Sequence, residues 1–255
     1  MDWSTITLGI AGGFLAGIIN IISGSGSIIT LSLMAFFNTP MDIANGTNRI
    51  GILVHGIKGS HSFRKKGELH LDDNWKIILF CMVGAIGGIV TALFISPEGF
   101  NFLLGIIFSL LLVIIIFEPH KALKENKKIV KYIPWLMIPI GFYGGFVQVA
   151  TGIFLLTVLH IVSGKTLKEI NPLKVFIIML FNIPAIVIFA MGGKINWALG
   201  VSLAVGQYFG AILGVKINSS NKNIEPALRY LLIGLVILSI AKFWGFFPLI
   251  RNLFA

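Results

Sequence analysis

The residues able to do chemistry are few, and they fall in two matching clusters. Asn20, Ser23, Gly24, Ser25, Gly26 and Ser27 close one apolar run in "GFLAGIINIISGSGSII". Gln148, Thr151 and Gly152 close another in "GFYGGFVQVATG". Residues 13–24 and 141–152 align without a gap: Gly13, Phe14, Gly17 and Gly24 meet Gly141, Phe142, Gly145 and Gly152. Asn20 then meets Gln148, and Ser23 meets Thr151. Neither cluster holds a nucleophile with its base or a set of metal ligands. Both are rich in hydrogen-bond donors. A helix restarting near Ser27 or near Ile153 leaves its first amides free and turns its positive end toward the cluster. Two such ends make an anion site from backbone. Hydroxyls add donors, and glycine permits close approach. Small residues also let membrane helices pack closely or kink, which is the competing reading of SGSGS.

Further candidates lie in the next apolar stretch of each half. Asn45, Thr47, Asn48 and Arg49 open one, and Asn171 precedes the other. The Arg49 guanidinium offers forked donors suited to oxyanion oxygens, or it snorkels to lipid headgroups. Lys174 stands near the equivalent place, on the basic side, where snorkelling is expected. His55, two turns into its segment, can carry a proton, touch substrate or sit neutral between helices. His160 reads as interfacial and Cys81 as packing. One cysteine permits no intrachain disulfide and no CxxC metal pair.

The elements that position these residues are membrane helices. Of 255 residues, 56% are hydrophobic and 12% charged, about half the charge of an ordinary soluble domain. Runs such as 75–95 and 99–117 are long enough to cross ~30 Å of hydrocarbon. The start, MDWSTIT, carries an acid where a secretory leader is basic, so the first run is expected to be retained. Ten segments emerge in two sets of five: 5–22, 27–37, 47–63, 75–95 and 99–117, then 132–150, 153–162, 173–191, 195–216 and 227–247. The second of each set is too short to span and reads as a half-helix.

The likeness of the halves continues. Asn45 meets Asn171, Phe63 meets Phe189, Trp75 meets Trp197, and Gly84, Gly88 and Ala92 meet Gly206, Gly210 and Gly214, the last sets reading as packing faces. The net charge of +10 is concentrated in four loops, which hold 16 of the 20 Lys and Arg. That is the positive-inside pattern, and it makes a nucleic-acid partner an unneeded explanation. With those loops cytoplasmic, both termini are extracytoplasmic. Five segments per copy then force the copies to be inverted. The expected fold is all-α and polytopic: a first inverted repeat over 1–120, a basic cytoplasmic linker over 121–131 and a second inverted repeat over 132–255.

Taken in order, several features resemble the TauE/SafE family of sulfite-exporter-like permeases. They are the Gly-rich tip "GIINIISGSGSII", a proline-containing loop, Ala44-Asn45-Gly46-Thr47 opening the next helix, the basic loop "FRKKGELHLDDNW" and a glycine-zipper helix. The chain departs from the family at SGSGS, which is poorer in glycine, and at Asn171-Pro172-Leu173 in place of a second A-x-G-T. The resemblance implies export of a small sulfur-containing anion, such as sulfite, sulfoacetate or a related organosulfonate. The residues themselves point only to a carrier that favours anions. Inverted repeats with interrupted helices suit alternating access around a midplane site. An anion channel on the same fold is the alternative, and a membrane enzyme or scaffold a more distant one, since no acid falls inside a predicted span. No cofactor or metal is expected. The expected partners are the small anion and the lipid bilayer.

Overall fold

The computed structural model describes residues 3–71, 74–117, 133–163, 165–220 and 225–246. The expected linker 121–131 lies outside the described residues. Among those described, ten helices follow one another: α1 (Trp3–Ile22), α2 (Ser27–Phe36), α3 (Met41–Lys65), α4 (Trp75–Leu93), α5 (Pro97–Phe117), α6 (Ile133–Phe146), α7 (Thr151–Ser163), α8 (Leu167–Met191), α9 (Trp197–Asn218) and α10 (Glu225–Phe243). Five of them (α1, α4, α5, α8 and α9) are long and apolar enough to cross a membrane.

The molecule is apolar outside and polar within. Leu79, Val83, Ile86 and Val90 form an exposed stripe on α4, and Val201, Val205, Tyr208 and Ile212 form one on α9. Lipid is the solvent for such faces. The buried face of α3 instead carries Asp42, Asn45, Thr47, Asn48, Arg49, His55 and Ser60. This explains why α3 begins at Met41, well before the expected 47. Polar residues lowered the hydropathy of a turn and a half that is nonetheless inside. α8 likewise begins at Leu167 rather than 173, where Thr166 and Glu169 form a capping box. The longer α3 takes in a buried acid, Asp42, contrary to the expectation that every span is free of carboxylates. Asp42 is paired with Lys194 in the turn between α8 and α9.

Glycines set the close helix pairs. A Cβ on Gly13 or Gly17 would strike the backbone of Leu203 or Gln207 on α9, and one on Gly206 or Gly210 would strike Ile10 or Phe14 on α1. The other half repeats this residue for residue. Gly141 and Gly145 abut Cys81 and Ala85 on α4, and Gly84 and Gly88 abut Ile138 and Phe142 on α6. Numbers rise together in both pairs, so α1 runs parallel to α9 and α4 to α6. In contrast, Gly56 meets Met179 and Gly59 meets Val175, so α3 and α8 are antiparallel.

α2 folds back along α1, with Leu33 against Gly12, and α7 folds back along α6, with Phe154 against Tyr143. Each half therefore has a helical hairpin with a short second arm. One correction follows from the second. α6 ends at Phe146 and α7 starts at Thr151, so the helix expected to reach 150 stops four residues early. Val147, Val149 and Ala150 are apolar, but Gln148 and Ala150 take φ of 61° and 52°, which an α-helix does not allow. The gapless pairing of Ser23 with Thr151 gives way to Ser27 with Thr151, each the first residue of its half-helix.

Candidate functional site

The two hairpin tips meet. The Gly152 amide donates to the Gly24 carbonyl at 3.3 Å, and a Cβ on either glycine would overlap the other. Gly24 has φ +76°, a conformation glycine adopts freely. Ser27 clamps the opposite tip: its Oγ donates to the Gln148 carbonyl at 3.0 Å and accepts from the Ala150 amide at 3.1 Å. Those two bonds hold the left-handed Gln148 and Ala150, a conformation that costs of order 1–2 kcal/mol per residue.

Beside the contact is a small cavity lined by Asn20, Gly24, Ser27, His55, Gln148, Thr151 and Gly152, with Ile52, Val175 and Ile178 on its apolar side. About 10 Å³ is open to the centre of a water-sized sphere, room for about one water. Thr151 is 1% exposed and its Oγ1 has no hydrogen-bond partner among the described residues. The backbone amides of Ser27 and Thr151, first in α2 and α7, find no backbone acceptor among the described residues. Unpaired buried donors are rare in proteins, and here they surround one space.

The remaining expected residues stand one layer back. Ser23 and Ser25 hydroxyls pair with each other at 2.6 Å. Gly26 is pressed against Ala16 and Asn20 of α1, a packing role. Thr47 Oγ1 accepts from the Asn196 amide at the start of α9, and Asn48 Oδ1 accepts from Thr30 Oγ1 of α2.

Arg49 and Lys174 do not snorkel; both are completely buried. The Arg49 guanidinium donates to the carbonyls of Gly144 and Gly145 in the last turn of α6, to Gln148 Oε1 and to Asn45 Oδ1. Lys174 Nζ donates to the carbonyls of Asn20 and Ile21 in the last turn of α1, at 2.8 and 3.2 Å. Asn45 and Asn171 complete the pattern, their Nδ2 groups donating to the carbonyls of Phe146 and Ile21, each at 2.7 Å. Each half's long helix thus contributes one amide and one cation to the carbonyl end of the other half's first helix. A helix C-terminus carries roughly −0.5 of an elementary charge. Each cation therefore leaves about +0.5 over, and the α2 and α7 starts add about +0.5 each.

Sequence reasoning missed Gln207. It is fully buried on α9, accepts from Asn20 Nδ2 at 3.4 Å and lies 2.9 Å from His55 Nδ1. A lone amide between Gly206 and Gly210 was the available signal. Its counterpart in the α4–α6 packing is Ala85, so comparing the halves conceals it.

An apolar exterior, a polar interior and two abutting hairpin tips define a multi-pass helical membrane protein. The chain belongs to the sulfite exporter TauE/SafE family, whose family model matches residues 9–243. It is similar to a "Probable membrane transporter protein" of Haemophilus influenzae, 26% identical over 80% of this chain and 81% of that one. It is also similar to "Probable membrane transporter protein YfcA" of Escherichia coli K12, 26% identical over 84% and 81%, and to "Probable membrane transporter protein ORF9" of a Sinorhizobium species, 24% identical over 88% of each. No solved structure matches. Fold and family together make this protein a membrane transporter.

Proposed function

We propose that the protein is a secondary carrier in the cell membrane that exports a small sulfur-containing anion: sulfite, sulfoacetate or a related organosulfonate. The observation that carries this reading is the cavity between the tips. It is faced by two helix N-termini and an unpartnered Thr151 hydroxyl, with Arg49 and Lys174 just behind. The buried carboxylate Asp42 is held by Lys194 at the far end of α3 and does not compete for donors. Sulfur oxyanions present several acceptor oxygens, which suits donors converging from two tips.

The direction of the helices supports alternating access. α1, α3 and α9 run one way, and α4, α6 and α8 the other. That is the pattern of two inverted copies, related by a pseudo-two-fold axis near Gly24 and Gly152. Rocking one copy against the other would open the tip contact to one face at a time, with the four basic loops cytoplasmic and both termini outside. The inside-negative potential drives export, at about 2.3 kcal/mol per charge per 100 mV. Proteoliposomes loaded with sulfite or an organosulfonate, and given an imposed potential, test the reading. Saturable efflux that accelerates on exchange supports a carrier. Flux linear in voltage and without exchange assigns an anion channel on the same fold, and flux equal to protein-free vesicles rejects both.

A further inference from the structure

We infer that His55 takes up one proton with each anion bound, so that the carrier moves the two together; this rests on the carrier reading above. His55 is 2% exposed and lines the cavity. Its Nδ1 faces Gln207 Oε1, an oxygen that also receives Asn20 Nδ2. An oxygen already accepting one N–H is oriented to accept another, so Nδ1 carries a hydrogen and Nε2 keeps its lone pair. The ring also hydrogen-bonds the backbone of Gly51, one turn back on α3. Protonation at Nε2 leaves the Nδ1–H···Oε1 bond intact and requires no rearrangement of Gln207.

The surroundings make that proton conditional on the anion. The charged group that acts on His55 is Lys174 from α8; on its own helix Arg49 holds the side chain of Gln148, which also lines the cavity, and Lys58 lies over the Tyr208 ring. α1 contributes neutral Asn20, α2 Ser27, α9 Gln207, and the α6–α7 turn Gln148 and Thr151. Tyr143, also titratable, donates its hydroxyl to the Val149 carbonyl within that turn. Lys174 Nζ donates to two carbonyls and the terminal nitrogens of Arg49 to four oxygens, which holds both in place as fixed cations. A third positive charge beside them is stabilised only by a negative ligand in the cavity. Proton and anion therefore favour each other's binding, by the reciprocity that governs any coupled pair. The proton enters from water on the face where the anion binds and returns to water on the face where it leaves, with no covalent change. For a dianion, one net negative charge still moves and the membrane potential drives its export; for a monoanion the pair is neutral and moves down its own concentration gradient.

Calorimetry of the full chain in lipid nanodiscs tests this, with methanesulfonate as the probe because its charge is constant from pH 5 to 8. Titrations in buffers of different ionisation heat count the protons taken up per anion. The native chain is expected to take up about one, with affinity falling up to about tenfold per pH unit over that range. His55→Gln, or His55→Asn if the first variant does not fold, is expected to bind more weakly and take up none. Binding by the native chain without proton uptake, or equal uptake by the variant, overturns the inference and leaves the carrier reading standing. Failure of the native chain to bind methanesulfonate, sulfite or sulfoacetate at any pH overturns both.

Discussion

Gly24 and Gly152 touch backbone to backbone, the amide of Gly152 donating to the carbonyl of Gly24 at the point where the two hairpin tips meet. Neither position has room for a Cβ, and Gly24 also occupies the left-handed region. Gly24→Ala should abolish transport while the protein still inserts, because the tips must part to admit the methyl group. Gly67→Ala is the control. Gly67 shares the positive φ but has open space around it, so only the conformational cost of about 1 kcal/mol remains. Flux per inserted molecule, measured for both variants, checks this; full activity in Gly24→Ala would place the gate elsewhere.

Thr151 and Ser27 occupy equivalent positions and predict opposite outcomes. Thr151→Val removes a buried hydroxyl with no partner, so stability should be unchanged or higher by up to ~1–2 kcal/mol. Anion affinity should fall about tenfold or more. Ser27→Ala loses two bonds that hold the other tip and should cost about 1–3 kcal/mol of stability. Thermal unfolding in nanodiscs, run beside anion titration, separates the two effects.

Arg49→Ala should destabilise before it alters affinity. The guanidinium serves the carbonyls of Gly144 and Gly145, and its removal strands them at the end of α6. Breaking a buried charged network of this kind costs about 3–5 kcal/mol. Arg49→Lys should recover part of that loss, since an ammonium cannot reproduce the fork. A variant with native melting temperature and weakened affinity would instead make Arg49 a direct ligand.

Much of this architecture was legible in the sequence. Apolar runs located the helices, and glycine spacing located the α1–α9 and α4–α6 faces. Paired breaks located the tips, and Asn45 with Asn171 pointed to equivalent positions, read there as candidate ligands and found to donate to helix-end carbonyls. What hydropathy missed has a common physical origin. Asp42, Asn45 and Lys174 lie inside because distant segments supply their partners, and a hydropathy window sees only its own segment. The early end of α6 was hidden for the opposite reason, since Val147 and Val149 are apolar while the backbone between them turns. The role of Gln207 emerges only when α9 is brought against α1 and α3.

The most direct test is the location of an anion in the folded protein. Bromomethanesulfonate, found by anomalous diffraction from crystals of the full chain, supplies it. The bromine is expected beside the tip contact, with the sulfonate within hydrogen-bond distance of Thr151 and His55. A transport-competent protein that binds the probe only at its basic loops, leaving the space between Gly24 and Gly152 empty at saturation, would contradict it.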